Sequence, residues 1–426
     1  MLDIRVIRED PEKIRNALLK RLDTLSFDEL LQWDAQRRQT IQDAEALKNK
    51  RNVVSAKIPV LMKEAPHEVE PTKAEMSLIG KRIAELDNEQ RIIEEKIEDF
   101  MSQLPNLPDE DVPAGGKENN IVLEVNGEKP QFSFEPKSHI DLCRDLDLID
   151  YERGVKLSGA GHWIYKGFGA RLEWALINFF VREHIADGYE FVFLPYMLNY
   201  ECGYVAGQFP KFVEEDYWID GGPDKAGRFL LPTAETALVN IHRDEIFTEA
   251  DLPKKYFSYT QCFRREAGSS RIEERGMIRG HQFNKVEMVQ YVHPDNSEKA
   301  FMELADKAKS LVTKLGLHFR MSQLAAKDCG YAMARTYDVE IWIPSMEIYK
   351  EVSSASNSYE YQARRGKTRY RNTNGKLDFV HILNASGLAT SRVFPAILEQ
   401  NQREDGSVVV PEVLRNDVGT DILRPI

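Results

Sequence analysis

Cysteine is scarce in this chain. Its four copies, Cys143, Cys202, Cys262 and Cys329, stand far apart and form no CxxC pair. That spacing argues against a disulfide framework or a thiol-rich metal site, and for buried, reduced thiols. The nine histidines show no HxxxH or HExxH spacing, so no zinc site is expected. No apolar run approaches the roughly 18 residues of a membrane span, so no membrane partner is expected. The opening MLDIRVIRED lacks both the charged-then-apolar signal pattern and the Arg-rich, acid-poor transit pattern. A cytoplasmic location follows as the expectation. Excess positive charge is missing too: 57 Lys and Arg against 69 Asp and Glu give a formal net charge of −12. That disfavours a protein that coats DNA or RNA nonspecifically, while leaving room for a local basic surface.

What is present is ample for two or three domains, with 426 residues of which 42% are hydrophobic. Residues 1–26 carry short helical patterns, including one near Asp10–Leu22. Residues 27–104 read as two long helices. In the second, Met76, Ile79, Ile83, Leu86, Gln90, Ile93, Ile97, Phe100 and Leu104 recur at spacings of three and four, a heptad seam with one polar interruption. The first is looser: Leu30, Trp33, Arg37, Thr40, Ala44, Leu47, Arg51, Val54, Ile58 and Leu61. Pro59 is expected to kink or end it, and Pro66 and Pro71 to mark the turn. The result is an antiparallel hairpin about 50 Å long at 1.5 Å per residue. Residues 33–66 hold seven Lys/Arg against four acids, and residues 67–104 hold five against ten. Pattern and charge leave two readings open: a dimerisation coiled coil or spacer, and an arm that presents a basic stripe to phosphates. The stretch 105–119, PNLPDEDVPAGGKEN, reads as a linker.

The remainder mixes strands, turns and helices. Lys255–Phe263 and His281–Tyr291 read as two strands of a long-looped hairpin, with Arg264-Arg265-Glu266 at the end of the first and a polar loop Ala267–Gly276 between them. Strand alternation puts Arg264 with Glu266, and Phe283 with Lys285 and Glu287. An arginine, carboxylates and an aromatic ring on one face suit a nucleotide and an amino acid. A solvated face with cross-strand ion pairs is the alternative. Thr233-Ala234-Glu235 follows an apolar segment and reads either as ligand groups or as a helix cap. Glu351 and Ser354, three apart, offer oxygens to a hard divalent cation. Leu377–Leu383 reads as a strand running through Asn384–Ser391 into a helix, with Ser391 as N-cap and Pro395 in the first turn. Arg392 would then stand at a helix N-terminus, a candidate anion site.

Taken together and in order, these segments resemble the bacterial type of seryl-tRNA synthetase over essentially the whole chain. DGYEFVFLP, ending at Pro195, resembles motif 1 of the class II enzymes. CFRREAG with RGMIRGHQFNKVEMVQ resembles motif 2, and NASGLATSRVFPAILE with DGSVVVPEVLR resembles motif 3 and its tail. LPTAET, TYDVEIWIP, YKEVSSASN and YQARRGKTRYR also match. The resemblance implies an α+β fold: an N-terminal helical-hairpin (coiled-coil) arm plus a class II catalytic domain built on an antiparallel sheet flanked by helices. It implies a tRNA-binding domain at 1–104 with its arm at about 27–104, a linker at 105–119 and a catalytic domain at 120–426. The activity implied is serine–tRNA ligation: L-serine is activated with ATP and Mg2+, then passed to tRNA(Ser), with tRNA(Sec) left open as a further acceptor. A homodimer that grips tRNA through the arm, and binds no DNA, goes with it.

The family's roles fall on matching positions. Thr233, Ala234, Glu235, Arg264, Glu287 and Ser386 would surround serine. Arg264, Arg265, Glu266, Phe283, Glu351, Val352, Ser353, Ser354 and Arg392 would bind ATP. Glu351 and Ser354 would hold magnesium, and Arg264, Arg392 and Glu351 would be catalytic. Where many bacterial members read Asn-Gly-Ser-Gly-Leu-Ala-Val-Gly-Arg, this chain reads Asn-Ala-Ser-Gly-Leu-Ala-Thr-Ser-Arg, so two glycines have become Ala385 and Ser391. The tail NDVGTDILRPI also departs from the usual Pro-Tyr-Met ending. Three rivals go with the reading: a paralogue that activates serine for a non-tRNA acceptor, a non-catalytic RNA-binding homologue, and a different class II synthetase.

Overall fold

The computed structural model describes residues 1–222, 227–266 and 276–426. The loop expected at Ala267–Gly276 therefore lies almost wholly outside the described residues. The chain divides into two compact units, one of Leu2–Leu19 with Asp23–Leu104, the other of Met1, Lys20–Leu22 and Pro105–Ile426.

The smaller unit is all helix. Ile4–Glu9 and Pro11–Leu18 are short helices, and Asp10 caps the second by accepting from the Lys13 N–H. Two long helices follow, α1 (Asp28–Glu64) and α2 (Val69–Ser102). Trp33 meets Phe100 edge-on, and Lys48 pairs with Asp87 at 3.0 Å and Lys50 with Glu75 at 2.7 Å, so the helices run antiparallel. These ion pairs are exposed and add little stability. The heptad residues carry the packing: Leu30, Ala44, Ile79, Ile83, Leu86 and Ile97 are buried, and the rest of both seams is at least half-buried. Pro59 neither ends α1 nor removes it from the arm; the helix continues to Glu64. Its ring faces solvent, so the only loss is one backbone bond near the helix end. Pro71 sits in the first turn of α2, where no N–H is needed.

The larger unit is built on an eight-stranded sheet. In chain order its strands are β1 (Ile121–Asn126), β2 (Glu190–Phe191), β3 (Lys254–Phe263), β4 (Gln282–Val292), β5 (Phe319–Gln323), β6 (Arg335–Ile343), β7 (Ile348–Asn357) and β8 (His381–Ala389). In space they lie β1-β5-β6-β7-β8-β4-β3-β2, antiparallel except for the β2–β3 pair at one edge. Three helices, α3 (Gly167–Ala186), α4 (Ser297–Lys314) and α5 (Thr390–Gln400), pack on it through Leu172, Leu176, Phe180, Phe301, Leu304, Phe394 and Ile397, all buried. Central strands are buried on both faces, so their polar residues must find partners inside.

Leu377–Phe379 and β8 are separate strands in different sheets, where one continuous strand was expected. Helix α5 begins at Thr390, two residues earlier than expected. Ser391 is therefore not its N-cap; Ala389 precedes the helix, and no side chain caps it. Pro395 lies inside the helix, past the first turn, and forfeits the bond to the Ser391 carbonyl.

The segment after the arm is fastened to the larger unit by side chains that satisfy backbone carbonyls. Lys20 Nζ donates to the carbonyls of Asp109, Glu110 and Val112. Arg21 donates to those of Tyr331 and Met333, and Asn106 to those of Ala332 and Ser358.

Candidate active site

Strands β3, β4, β7 and β8 end beneath two adjoining pockets. The larger, about 320 Å³, is lined by Thr233, Glu235, Arg264, Lys285, Glu287, Glu351, Ser354 and Ser386 among others. The smaller, about 40 Å³, is lined by Glu266, Phe283, Val352 and Arg392. Arg264, Lys285, Glu351 and Ser386 line both, so the two spaces meet at these four side chains.

The floor of the larger pocket is a buried polar network. Lys285 Nζ donates to Thr233 Oγ1 at 2.6 Å and pairs with Glu287 at 2.5 Å. Ser386 Oγ donates to the same Glu287 carboxylate at 3.2 Å. Glu235 begins the short helix Glu235–Leu238, and Gln362 Nε2 donates to it at 2.8 Å. Burial, with the charge of Glu287 behind it, pushes the Glu235 pKa up to about 7. No side chain caps that helix, and Thr233 accepts from Lys285, so the capping reading of Thr233 and Glu235 falls. A floor of one cation, two carboxylates and two hydroxyls, with the Arg264 guanidinium at its side, suits a small zwitterion with a polar side chain.

The smaller pocket has an aromatic and a cationic side. The Arg264 guanidinium lies over the Phe283 ring at 5.3 Å. Arg392, in the first turn of α5, donates to the Glu351 carbonyl at 2.8 Å and pairs with its carboxylate at 3.4 Å. Burial raises the Glu351 pKa, but Arg392 and Arg264 outweigh it, and the carboxyl is held below its usual range. The side chain keeps 45% of its area accessible, facing the cavity space. Glu266 pairs with Arg279, and its φ of 52° ends the strand alternation expected to carry it. Both Arg264 and Glu266 nonetheless reach the pocket.

Three expected residues are not brought to either pocket. Arg265 points away and donates to the Glu214 carbonyl at 3.1 Å. Ser353 is buried and donates to the Ser386 carbonyl at 2.6 Å. Ala234 is fully buried and lines neither pocket. Conversely, Lys285, Asp338, Glu340 and Asn384 line the larger pocket without having been assigned to it. Lys285 was legible, since it alternates with Phe283 and Glu287. Asp338 and Glu340 alternate inside TYDVEIWIP, but only β-sheet pairing brings them beside Ser354 and Glu351.

Asp338 Oδ1 is buried and has no hydrogen-bond partner among the described residues. Burial, then the Glu351 charge, pushes its pKa well up. Glu351 and Ser354 offer oxygens of the kind magnesium takes. Among the described residues no cluster of three His, Cys, Asp or Glu side chains could hold a metal alone. The donor set therefore fits an ion that shares phosphate oxygens with a nucleotide, as magnesium does.

Behind the smaller pocket, Glu173 of α3 is 4% exposed. It accepts from Asn284 Nδ2 at 2.7 Å and from the Thr390 hydroxyl. Burial pushes its pKa up to about 7.

Residues 217–401 match the model of the tRNA synthetase class II core domain (G, H, P, S and T), and residues 1–108 that of the seryl-tRNA synthetase N-terminal domain. Serine–tRNA ligase 2 of Clostridium acetobutylicum is 58% identical over 99% of this chain and all of its own. The serine–tRNA ligase of Geobacillus kaustophilus is 43% identical over the full length of both. The crystal structure of seryl-tRNA synthetase from Pyrococcus horikoshii complexed with ATP superposes with a TM-score of 0.94 at 33% identity, covering 100% of both chains.

Proposed function

The chain belongs to the seryl-tRNA synthetase family of aminoacyl-tRNA ligases, and from that premise we propose that its two pockets activate L-serine with ATP and pass it to tRNA(Ser). The observation that carries this reading is the meeting of the pockets at Arg264, Lys285, Glu351 and Ser386. A carboxylate of an amino acid in the larger pocket then faces a phosphate of a nucleotide in the smaller one.

Serine's ammonium goes to Glu235 and Glu287, and its hydroxyl to the Thr233, Lys285 and Ser386 end of the network. Alanine would leave those buried groups unpaired, which discriminates more strongly than shape. Phe283 stacks on adenine, Glu266 reads its edge, and Val352 borders the ring. Arg264 holds the α-phosphate with the serine carboxylate, and Arg392 holds the distal phosphates. Glu351 and Ser354 are the residues that would hold magnesium, which when bound neutralises phosphate charge.

In the first step a serine carboxylate oxygen forms a bond to the α-phosphorus, and the α–β bridging bond breaks to release diphosphate. The carboxylate is already a nucleophile, so positioning and charge stabilisation supply the catalysis. In the second step a terminal ribose hydroxyl of tRNA attacks the activated carbonyl and AMP leaves. Residues 1–104 serve as the tRNA-binding domain, with 105–119 as linker and 120–426 as catalytic domain. The arm grips tRNA by backbone and shape. The active form is a cytoplasmic homodimer.

The test is ATP–diphosphate exchange across the amino acids, followed by charging of bulk tRNA. Serine-dependent exchange and charging are expected. Exchange without charging would favour a non-tRNA acceptor, and no exchange would refute the catalytic reading.

A further inference from the structure

The β4–β8 ladder stops where Lys285 pairs with Ala389, next to a register shift between Lys285 and Glu287. Just beyond that pair the two chains diverge. Asn284 leads to Phe283 on the aromatic side of the smaller pocket, and Thr390 leads to Arg392 on its cationic side. No ladder bond holds this divergence. Side chains do: Glu173 Oε1 accepts from both Asn284 Nδ2 and Thr390 Oγ1. The Thr390 hydroxyl also lies 3.2 Å from the Asn284 carbonyl, and Tyr259 donates to Asn284 Oδ1 at 3.0 Å. Glu173 itself is fixed in α3, a helix of 20 residues packed on the sheet. The carboxylate thus acts from behind the sheet, outside both pockets.

We propose that Glu173 and Thr390 are positioning residues that fix the separation between Phe283 and Arg392, and with it the affinity for ATP. The proposal rests on reading the smaller pocket as the ATP site.

The experiment compares T390V, which removes the hydroxyl, T390S, which keeps it, and E173Q, which keeps an acceptor oxygen. Each is measured by serine-dependent ATP–diphosphate exchange on the full chain, with melting temperature alongside. T390V is expected to raise the KM for ATP about tenfold, the scale of a small misplacement in a bound substrate. The KM for serine should stay within about twofold, because the serine network does not pass through Thr390. T390S and E173Q should both keep the wild-type ATP KM, since each keeps the hydrogen bond that T390V removes. A T390V enzyme that melts lower but keeps its ATP KM would overturn the proposal, since that is a purely structural role. So would an equal rise in the serine KM, or a raised ATP KM in T390S. Absence of exchange in the wild-type chain would instead refute the ATP reading beneath it.

Discussion

Replacing Glu173 by glutamine should change how stability depends on pH. The carboxyl is enclosed, and its pKa moves from 4.5 in the free chain to about 7 in the fold. The folded state therefore holds the proton more tightly than the unfolded chain does. Its contribution is greatest below the unfolded pKa and is lost as pH rises towards the folded pKa. The full shift corresponds to about 3 kcal/mol at roughly 1.4 kcal/mol per unit. About 2 kcal/mol of that develops between roughly pH 5.5 and pH 8. Glutamine is isosteric, keeps the oxygen that accepts from Asn284 and Thr390, and does not titrate. Its amide would also lie near the Tyr165 hydroxyl, a buried group that acts on the Glu173 carboxyl. Calorimetry of wild type and E173Q should show a gap that moves in favour of E173Q by a few degrees on going from pH 5.5 to 8. Parallel curves would mean that the carboxyl titrates near its ordinary value, and the account of its burial would be wrong.

Arg264→Ala should abolish serine-dependent diphosphate exchange; near-normal exchange would sink its assignment to the α-phosphate. Ser386→Ala should weaken serine at least tenfold through the lost partner of Glu287, while the KM for ATP moves little; this is read from paired KM measurements. Replacing the distal part of the arm by a short turn should leave exchange intact and remove tRNA charging, measured by acylation of bulk tRNA. Gly387→Ala should destabilise the fold by about 1–3 kcal/mol, since a methyl there meets the ring of His184, whose Nε2 lies 3.1 Å from the Gly387 carbonyl; thermal melting checks it.

The arm was the most legible part of the fold because its evidence is local. Spacings of three and four over ten turns leave one solution, and the ring of Pro59 facing solvent is the detail that spacing cannot supply. The β3–β4 hairpin was legible for the same reason, through alternation. Alternation fails at chain ends, which is why Arg265, beyond the last ladder residue, turns away to Glu214. The start of α5 was misplaced by two residues because Ser391 looks like a cap, whereas the observed preceding residue, Ala389, has no capping oxygen. Asp338 and Gln362 were harder. Each draws its meaning from groups dozens of residues away, and a buried charge cannot be told from an exposed one by its neighbours in sequence. Glu173 is the extreme case: within GFGARLEWAL it reads as an ordinary polar face of a helix, and only the fold encloses it.

The division of the chain also matters for anyone who would exchange its modules. Lys20–Leu22 belong to the larger unit although they precede the arm by sequence, and Lys20 and Arg21 satisfy carbonyls at 109–112 and at 331 and 333. A catalytic fragment begun at residue 120 would lose the clamped 109–112 segment, expose the carbonyls of Tyr331 and Met333, and discard Lys117, which lines the larger pocket. The hairpin behaves as an insertion rather than a prefix. A chimera that transplants a foreign arm between residues 23 and 104 keeps the flanking clamps, whereas one that swaps residues 1–104 as a block removes Lys20 and Arg21 and leaves only Asn106.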